Sequence, residues 1–170
     1  MDIMEAMHTR RSIRKFTDAP VTDEQLETIL KAAMVAPSAG NAQPWQFIVV
    51  TDRKMLDAIP EWQQYAKACH TAQAAIVVCG DLSLEKYEGF WVQDCSAATM
   101  NILHAVHGLG LGAVWCGIAP VQERVAAAQK QFGLPDNVIP LSLIPIGVPD
   151  QKAGTVDRYR EDRIHRNTWK

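Results

Sequence analysis

The chain has 170 residues, 48% of them hydrophobic and 21% charged, with a formal net charge of −2. That is material for one domain with a substantial core, and it excludes a disordered chain. The acid-leaning balance also excludes a general polyanion binder, and no apolar run reaches membrane-spanning length. The N-terminal segment is acidic where a signal peptide would be basic and then apolar. The expectation is a single-domain cytoplasmic protein over residues 1–170, with neither nucleic acid nor membrane as partner.

Residues 2–9 have the pattern of a short amphipathic helix, capped by Asp2, with Ile3, Ala6 and Met7 as its apolar stripe. Arg10-Arg11-Ser12-Ile13-Arg14-Lys15-Phe16 follows, placing four cations and a hydroxyl within six residues of an otherwise balanced chain. Arginine offers a planar fork of donors and serine a short one, so the cluster suits a phosphate. In an extended segment Arg10, Ser12 and Arg14 share one side, while Ile13 and Phe16 can anchor the segment in a core. The plain alternative is a solvated charge run.

Thr22-Asp23-Glu24-Gln25 is a capping box, with Val21 and Leu26 as its hydrophobic staple. The helix it opens should run to about Ala36, turning Leu26, Ile29, Leu30, Ala33 and Met34 inward. Pro37-Ser38-Ala39-Gly40-Asn41-Ala42-Gln43-Pro44-Trp45 is a loop of small and amide residues between prolines, open enough for a planar ligand to approach the backbone. Gln46–Thr51 should be a strand, Asp52 should cap a short helix through Leu56, and Pro60 should open another through about Cys69. The continuous apolar run Ala74–Gly80 is expected as a central strand buried on both faces.

The longest helix is expected over 87–106, nearly without charge beyond Asp94, with Gly108 closing it. A turn, a strand and a second turn follow over 110–117, then a helix over 121–132 that Gly133 ends. Val138–Val148 is strand-like but carries Pro140 and Pro145, with Pro149 next, which argues for a sheet edge or bends. The tail from 153 is polar and Arg-rich yet keeps Ile164 and Trp169, so it should dock on something, a partner subunit included. Cys69, Cys79, Cys95 and Cys116 form no CxxC pair and are expected as buried thiols. His104 and His107 share a helix face without an acid or cysteine at ligand spacing, so no metal site is expected.

In this order the pieces resemble the nitroreductase family of flavin-dependent oxidoreductases. The resemblance rests on 10–16, on Ala36 through Trp45, and on the helix leading to Gly108-Leu109-Gly110. It continues with Val114-Trp115-Cys116-Gly117 and with Arg158 through Trp169. It implies an α+β fold, a three-layer α/β/α sandwich on a mixed, mostly antiparallel sheet, assembled as an intertwined homodimer. It also implies tightly bound FMN, with NADH or NADPH as reductant. Hydride would pass through flavin N5 to a small-molecule electron acceptor, a nitroaromatic or quinone, by ping-pong chemistry.

Carried over by position, Arg10, Ser12 and Arg158 would hold the FMN phosphate and Arg14 would lie at the pyrimidine edge, with Arg11 also counted among the cofactor-binding residues. Pro37, Ser38, Ala39 and Asn41 would reach the ring and ribityl chain from the other subunit, and Gln43 is counted among the cofactor-binding residues. Cys116 and Gly117 would run along the ring, their backbone rather than the thiol being what the site needs. No catalytic side chain is implied. The chain is short for the family and lacks the helical insertion of longer members, so the residue at the far pyrimidine edge (Tyr65 or a neighbouring Gln) stays open. The rival readings are reductive dehalogenation or ring dehydrogenation on the same fold, or a non-catalytic anion- or RNA-binding module using residues 10–15.

Overall fold

Strand β2 (Ala74–Asp81) is buried at every position but its last, as a run with no polar alternation requires. In the computed structural model, which describes residues 1–154 and 156–169, β2 pairs antiparallel with β1 (Trp45–Val50) on one side and β5 (Val138–Gly147) on the other. Two short strands, β3 (Gly112–Ala113) and β4 (Cys116–Gly117), pair antiparallel with the far side of β5. The order is β1-β2-β5-β3, with β4 beside β3 on the same strand. The mixed character of the sheet comes from a parallel bridge, Ser12 to Ala113, which adds the arginine segment at the β3 edge.

Helices cover both faces. On one, α2 (Asp23–Met34) and α4 (Trp91–Gly108) bring Ile29, Ala33, Cys95, Ala98, Ile102 and Val106 against Ile76, Val78, Ile144 and Ile146. On the other, α3 (Arg53–Trp62) and α5 (Gln122–Phe132) bring Leu56, Ile59, Val125 and Ala128 against Val77, Cys79 and Leu143. Alternate residues of β2 and β5 thus serve opposite cores. The result is the expected three-layer α+β sandwich. α1 (Ile3–Thr9) packs against α4 at the end where the arginine segment begins. The caps form as the sequence dictates: Asp2 takes the N–H groups of Met4 and Glu5, and Thr22 and Gln25 make the reciprocal box. No helix among the described residues is long and apolar enough to cross a membrane.

Several expectations are corrected. Pro60 lies inside α3 rather than opening a new helix; it removes one i→i−4 bond near the helix end, while Leu56 and Ile59 on the same helix are almost fully buried. α4 starts at Trp91, not 87, because 82–90 is a run of turns and bends in which Gly89 takes a positive φ. That helix contains Gly108, and it is Gly110, at φ +75°, that turns the chain out of it. Ile3, Met4, Met7, Met34 and Val35 are exposed, leaving apolar surface along α1 and the end of α2.

Of the two readings its prolines allowed, a sheet edge or bends, β5 takes the second: it has partners on both sides, and the irregularity falls beside its prolines. Ile146 turns its carbonyl to Gln73, so Pro145 turns its nitrogen to the opposite side. There the pairing is interrupted between Ala113 and Cys116, and no neighbour needs the missing N–H. Near the other proline, a bulge between Val78 and Cys79 leaves Leu141 unpaired with β2, and its carbonyl accepts from Ile118 and Ala119 instead.

Candidate active site

The arginine segment is stitched into the sheet from two sides. Ile13 N–H donates to Ala113, Thr17 N–H to Val148, and Asp150 N–H back to Lys15. The Gln151 side chain accepts from both Arg14 and Lys15 backbone N–H groups. Ile13 and Phe16 are buried, as anchors should be, and two glycines make their room. A Cβ on Gly112 would stand 2.7 Å from Ile13, and one on Gly147 2.8 Å from Phe16. The backbone beneath the cations is therefore fixed before any ligand arrives.

Three guanidinium groups gather at the start of this segment. Partial burial first, then Arg11 and Arg158, push the Arg10 pKa down. Arg11 donates to the carbonyls of Gly154 and Arg10, which brings the start of the tail to the cluster. Arg10 Nε and Arg11 Nη2 are buried with no partner, and the Ser12 hydroxyl makes no hydrogen bond among the described residues. Like charges drawn together with donors left over are the signature of a site for a multiply charged anion. His107 Nε2 lies 2.8 Å from the Thr9 hydroxyl beside the cluster. Both His104 and His107 have lowered pKa values, through partial burial and then through Arg10, which disfavours a further positive charge beside the cluster.

Further along the edge, Arg14 is exposed and close enough to Cys116 to favour its thiolate, but burial prevails and holds that thiol at about 11. Gly117 next to it is exposed, and a Cβ there would meet only the Ala119 carbonyl, at 4.0 Å. Its own carbonyl accepts from the fully buried Gln63 side chain and from Arg124. Cys116 is thus a buried thiol on a paired strand, and burial disfavours its thiolate. Alkylation followed by mass should therefore be far slower than for a free thiol. Rapid labelling of Cys116 in the folded protein would contradict this.

The loop of residues 37–43 is held by other means. Asp94, buried in α4, accepts the Ala39 N–H at 2.9 Å, Ser38 Oγ accepts from Gln43, and the Gln43 side chain donates to Asn41. Gly40, Asn41 and Gln43 all take positive φ, and Lys86 donates to the Gly40 carbonyl. Pro37, Asn41 and Gln43 stay exposed, and none of the loop's hydrogen bonds goes to the arginine segment. Within one chain the expected site residues therefore fall into two groups: Arg10, Arg11, Ser12, Arg14, Cys116, Gly117 and Arg158 along the β3–β4 edge, and Pro37, Ser38, Ala39, Asn41 and Gln43 at the head of α4. Gln63 is one of the glutamines beside Tyr65 left open above, and the structure sets it on the Gly117 carbonyl; Gln151 and Arg124 were missed, because a side chain that orients a distant backbone group leaves no pattern in sequence. Asp94 was visible only as the lone acid of an apolar helix.

The Nitroreductase family profile matches residues 7–86 and 65–148 of this chain. A provisionally named NADH dehydrogenase/NAD(P)H nitroreductase of Methanothermobacter thermautotrophicus is 52% identical over 169 residues, 99% of this chain and 88% of that protein. This chain belongs to the nitroreductase family. Among solved structures, a provisionally named NADH dehydrogenase/NAD(P)H nitroreductase from Parabacteroides distasonis superposes with a TM-score of 0.94 at 41% identity, covering 98% of each chain. A provisionally named nitroreductase from Desulfovibrio desulfuricans, in complex with FMN, gives 0.86 at 30% identity, covering 100% of this chain and 99% of that one. With nitroreductase relatives matched across its full length, the enzyme class is an oxidoreductase.

Proposed function

We propose that this nitroreductase family member binds FMN, oxidises NADH or NADPH, and reduces a small-molecule electron acceptor in a separate half-reaction. The observation that carries the reading is the pair of buried, unpartnered guanidinium N–H groups on Arg10 and Arg11 beside Arg158. A phosphate monoester dianion offers the acceptors they lack. The FMN-bound relative and the NAD(P)H nitroreductase relatives name a cofactor and reductant that fit. When bound, FMN supplies the hydride exchange that no side chain here can perform. For a nitroaromatic the overall balance is ArNO2 + NAD(P)H + H+ → ArNO + NAD(P)+ + H2O; for a quinone, NAD(P)H and one proton give the hydroquinone.

The chain's own residues bind and orient. Arg10, Arg11, Ser12 and Arg158 hold the phosphate, and Arg14 places a permanent cation near the ring end, where reduction builds negative charge. Gly117 lets the backbone lie close to the ring. The 37–43 loop completes the site from a second copy of the chain, which accounts for its separation from the arginine segment. The exposed Ile3, Met7, Met34 and Val35, together with Tyr159, Ile164 and Trp169 of the tail, offer apolar surface for that assembly. His165 and Trp169 already stack, with ring centroids 4.2 Å apart.

The purified protein should be yellow, absorbing near ~450 nm, and should bleach on addition of NADH or NADPH. In sedimentation across a dilution series, protein and flavin absorbance should leave the dimer together. A protein that binds no FMN on reconstitution would overturn the reading, and a monomer carrying its full FMN complement would overturn the shared site. Replacing Arg14 with Gln should lower the two-electron reduction potential by about 30 mV for each ~1.4 kcal/mol of differential stabilisation lost. An unchanged potential in a spectroelectrochemical titration would remove Arg14 from the ring.

A further inference from the structure

We propose that Arg124, seated on Tyr65, is a specificity-determining residue that selects anionic aromatic acceptors, those bearing a carboxylate or sulfonate; the inference rests on the oxidoreductase reading above. Arg124 rises from the first turn of α5 and reaches the Gly117 carbonyl, with Nη1 at 3.4 Å. Its guanidinium carbon stands 5.3 Å from the centre of the Tyr65 ring, which is 65% exposed. Cation–π contact and a backbone carbonyl thus fix the group beside the open space over Gly117. The carbonyl is itself pinned by Gln63, so the cation is tied to a rigid point.

What makes this a recognition element is what Arg124 leaves undone. Glu61 and Glu123 line a neighbouring cavity of about 350 Å³ that Arg124 also borders and that neither Tyr65 nor Gly117 lines, yet Arg124 forms an ion pair with neither acid among the described residues. Of five guanidinium N–H donors, the Gly117 carbonyl takes one, so a planar fork remains free for a carboxylate or sulfonate. Tyr65 presents a ring on which an aromatic acceptor can lie while its anionic group meets that fork. A neutral acceptor gains the ring but not the charge.

The test uses the FMN-loaded protein and a matched pair of acceptors, 4-nitrobenzoate and 4-nitrobenzamide. Wild type should show the higher kcat/KM for 4-nitrobenzoate, and rising salt should erode that preference. In Arg124→Gln the ratio of kcat/KM for 4-nitrobenzoate over 4-nitrobenzamide should fall about tenfold, as expected for a lost charge-assisted contact, because losing the Gly117 contact bears on both acceptors alike. Arg124→Lys should keep part of it. Equal efficiency on both acceptors in wild type, or an undiminished preference in Arg124→Gln, overturns the inference alone. If wild type reduces neither acceptor with NADH or NADPH, the oxidoreductase reading falls and this inference with it. Should Arg124→Gln lose its flavin, the wild-type preference and its salt dependence still decide.

Discussion

Replacing Arg10 with alanine is expected to weaken FMN binding by about 1.5–3 kcal/mol, roughly ten- to 150-fold in Kd, the worth of a hydrogen bond to a charged group. Arg10 is the member of the cluster whose burial and like-charged neighbours already disfavour its charge, and its Nε is unpaired. A dianion relieves both conditions at once. Because the ligand binds only the folded chain, the melting temperature at limiting FMN should fall with the affinity. Without FMN the variant should be no less stable than wild type, since removing Arg10 relieves repulsion with Arg11 and Arg158. A titration giving wild-type affinity for the alanine variant would move the phosphate elsewhere.

The second large effect is expected from a single methyl group. In Gly147→Ala the new Cβ would lie 2.8 to 2.9 Å from Cβ, Cγ and Cδ1 of Phe16, whose side chain is only 5% exposed. Neither the central strand nor the buried ring can yield cheaply, so overpacking should cost about 1–3 kcal/mol. For a chain of this size that corresponds to roughly 2–4 °C in melting temperature for each kcal/mol. The strain is directed at the site: Phe16 anchors the segment that carries Arg10 to Lys15, and the Thr17–Val148 bond of 2.9 Å adjoins both residues. FMN affinity should therefore drop with stability. Gly154→Ala is the control, because nothing stands within 4 Å of its new methyl. Equal stability and affinity in Gly147→Ala would mean that the arginine segment is not held by this contact.

Much of this architecture is legible from residues whose signals are local. Thr22 and Gln25 announce a helix start in four letters, and the apolar run from Ala74 announces burial on both faces. Both signals arise from the hydrogen bonding or burial of the segment itself. The edge reading of β5 fails because a proline excludes a strand position only where a neighbour needs its N–H. Whether a neighbour is present opposite Pro145 depends on the break between Ala113 and Cys116, some thirty residues earlier. The site divides the same way. Arg10, Ser12 and Arg14 stand out by charge and spacing, whereas Gln63 and Arg124 matter through the Gly117 carbonyl, a relation only the folded chain creates. Met34 and Met7, expected inside, lie on a face that a single chain leaves uncovered.

The position of β5 also governs the order in which the molecule can be built. The strand at the middle of the sheet is the last in the chain, and it supplies Val138 and Leu143 to one core and Leu141, Ile144 and Ile146 to the other. A nascent chain on the ribosome can form α2, α4 and the β1–β2 pair, but neither apolar layer closes until residue 147 has emerged. Until then β2, the most apolar strand, presents a bare edge of unpaired N–H and C=O groups. Synthesis thus ends in a single non-local closing step. Truncation before residue 138 should yield aggregating chains that hold on to chaperones, while release of the full chain from the tunnel should be the moment at which protease resistance first appears.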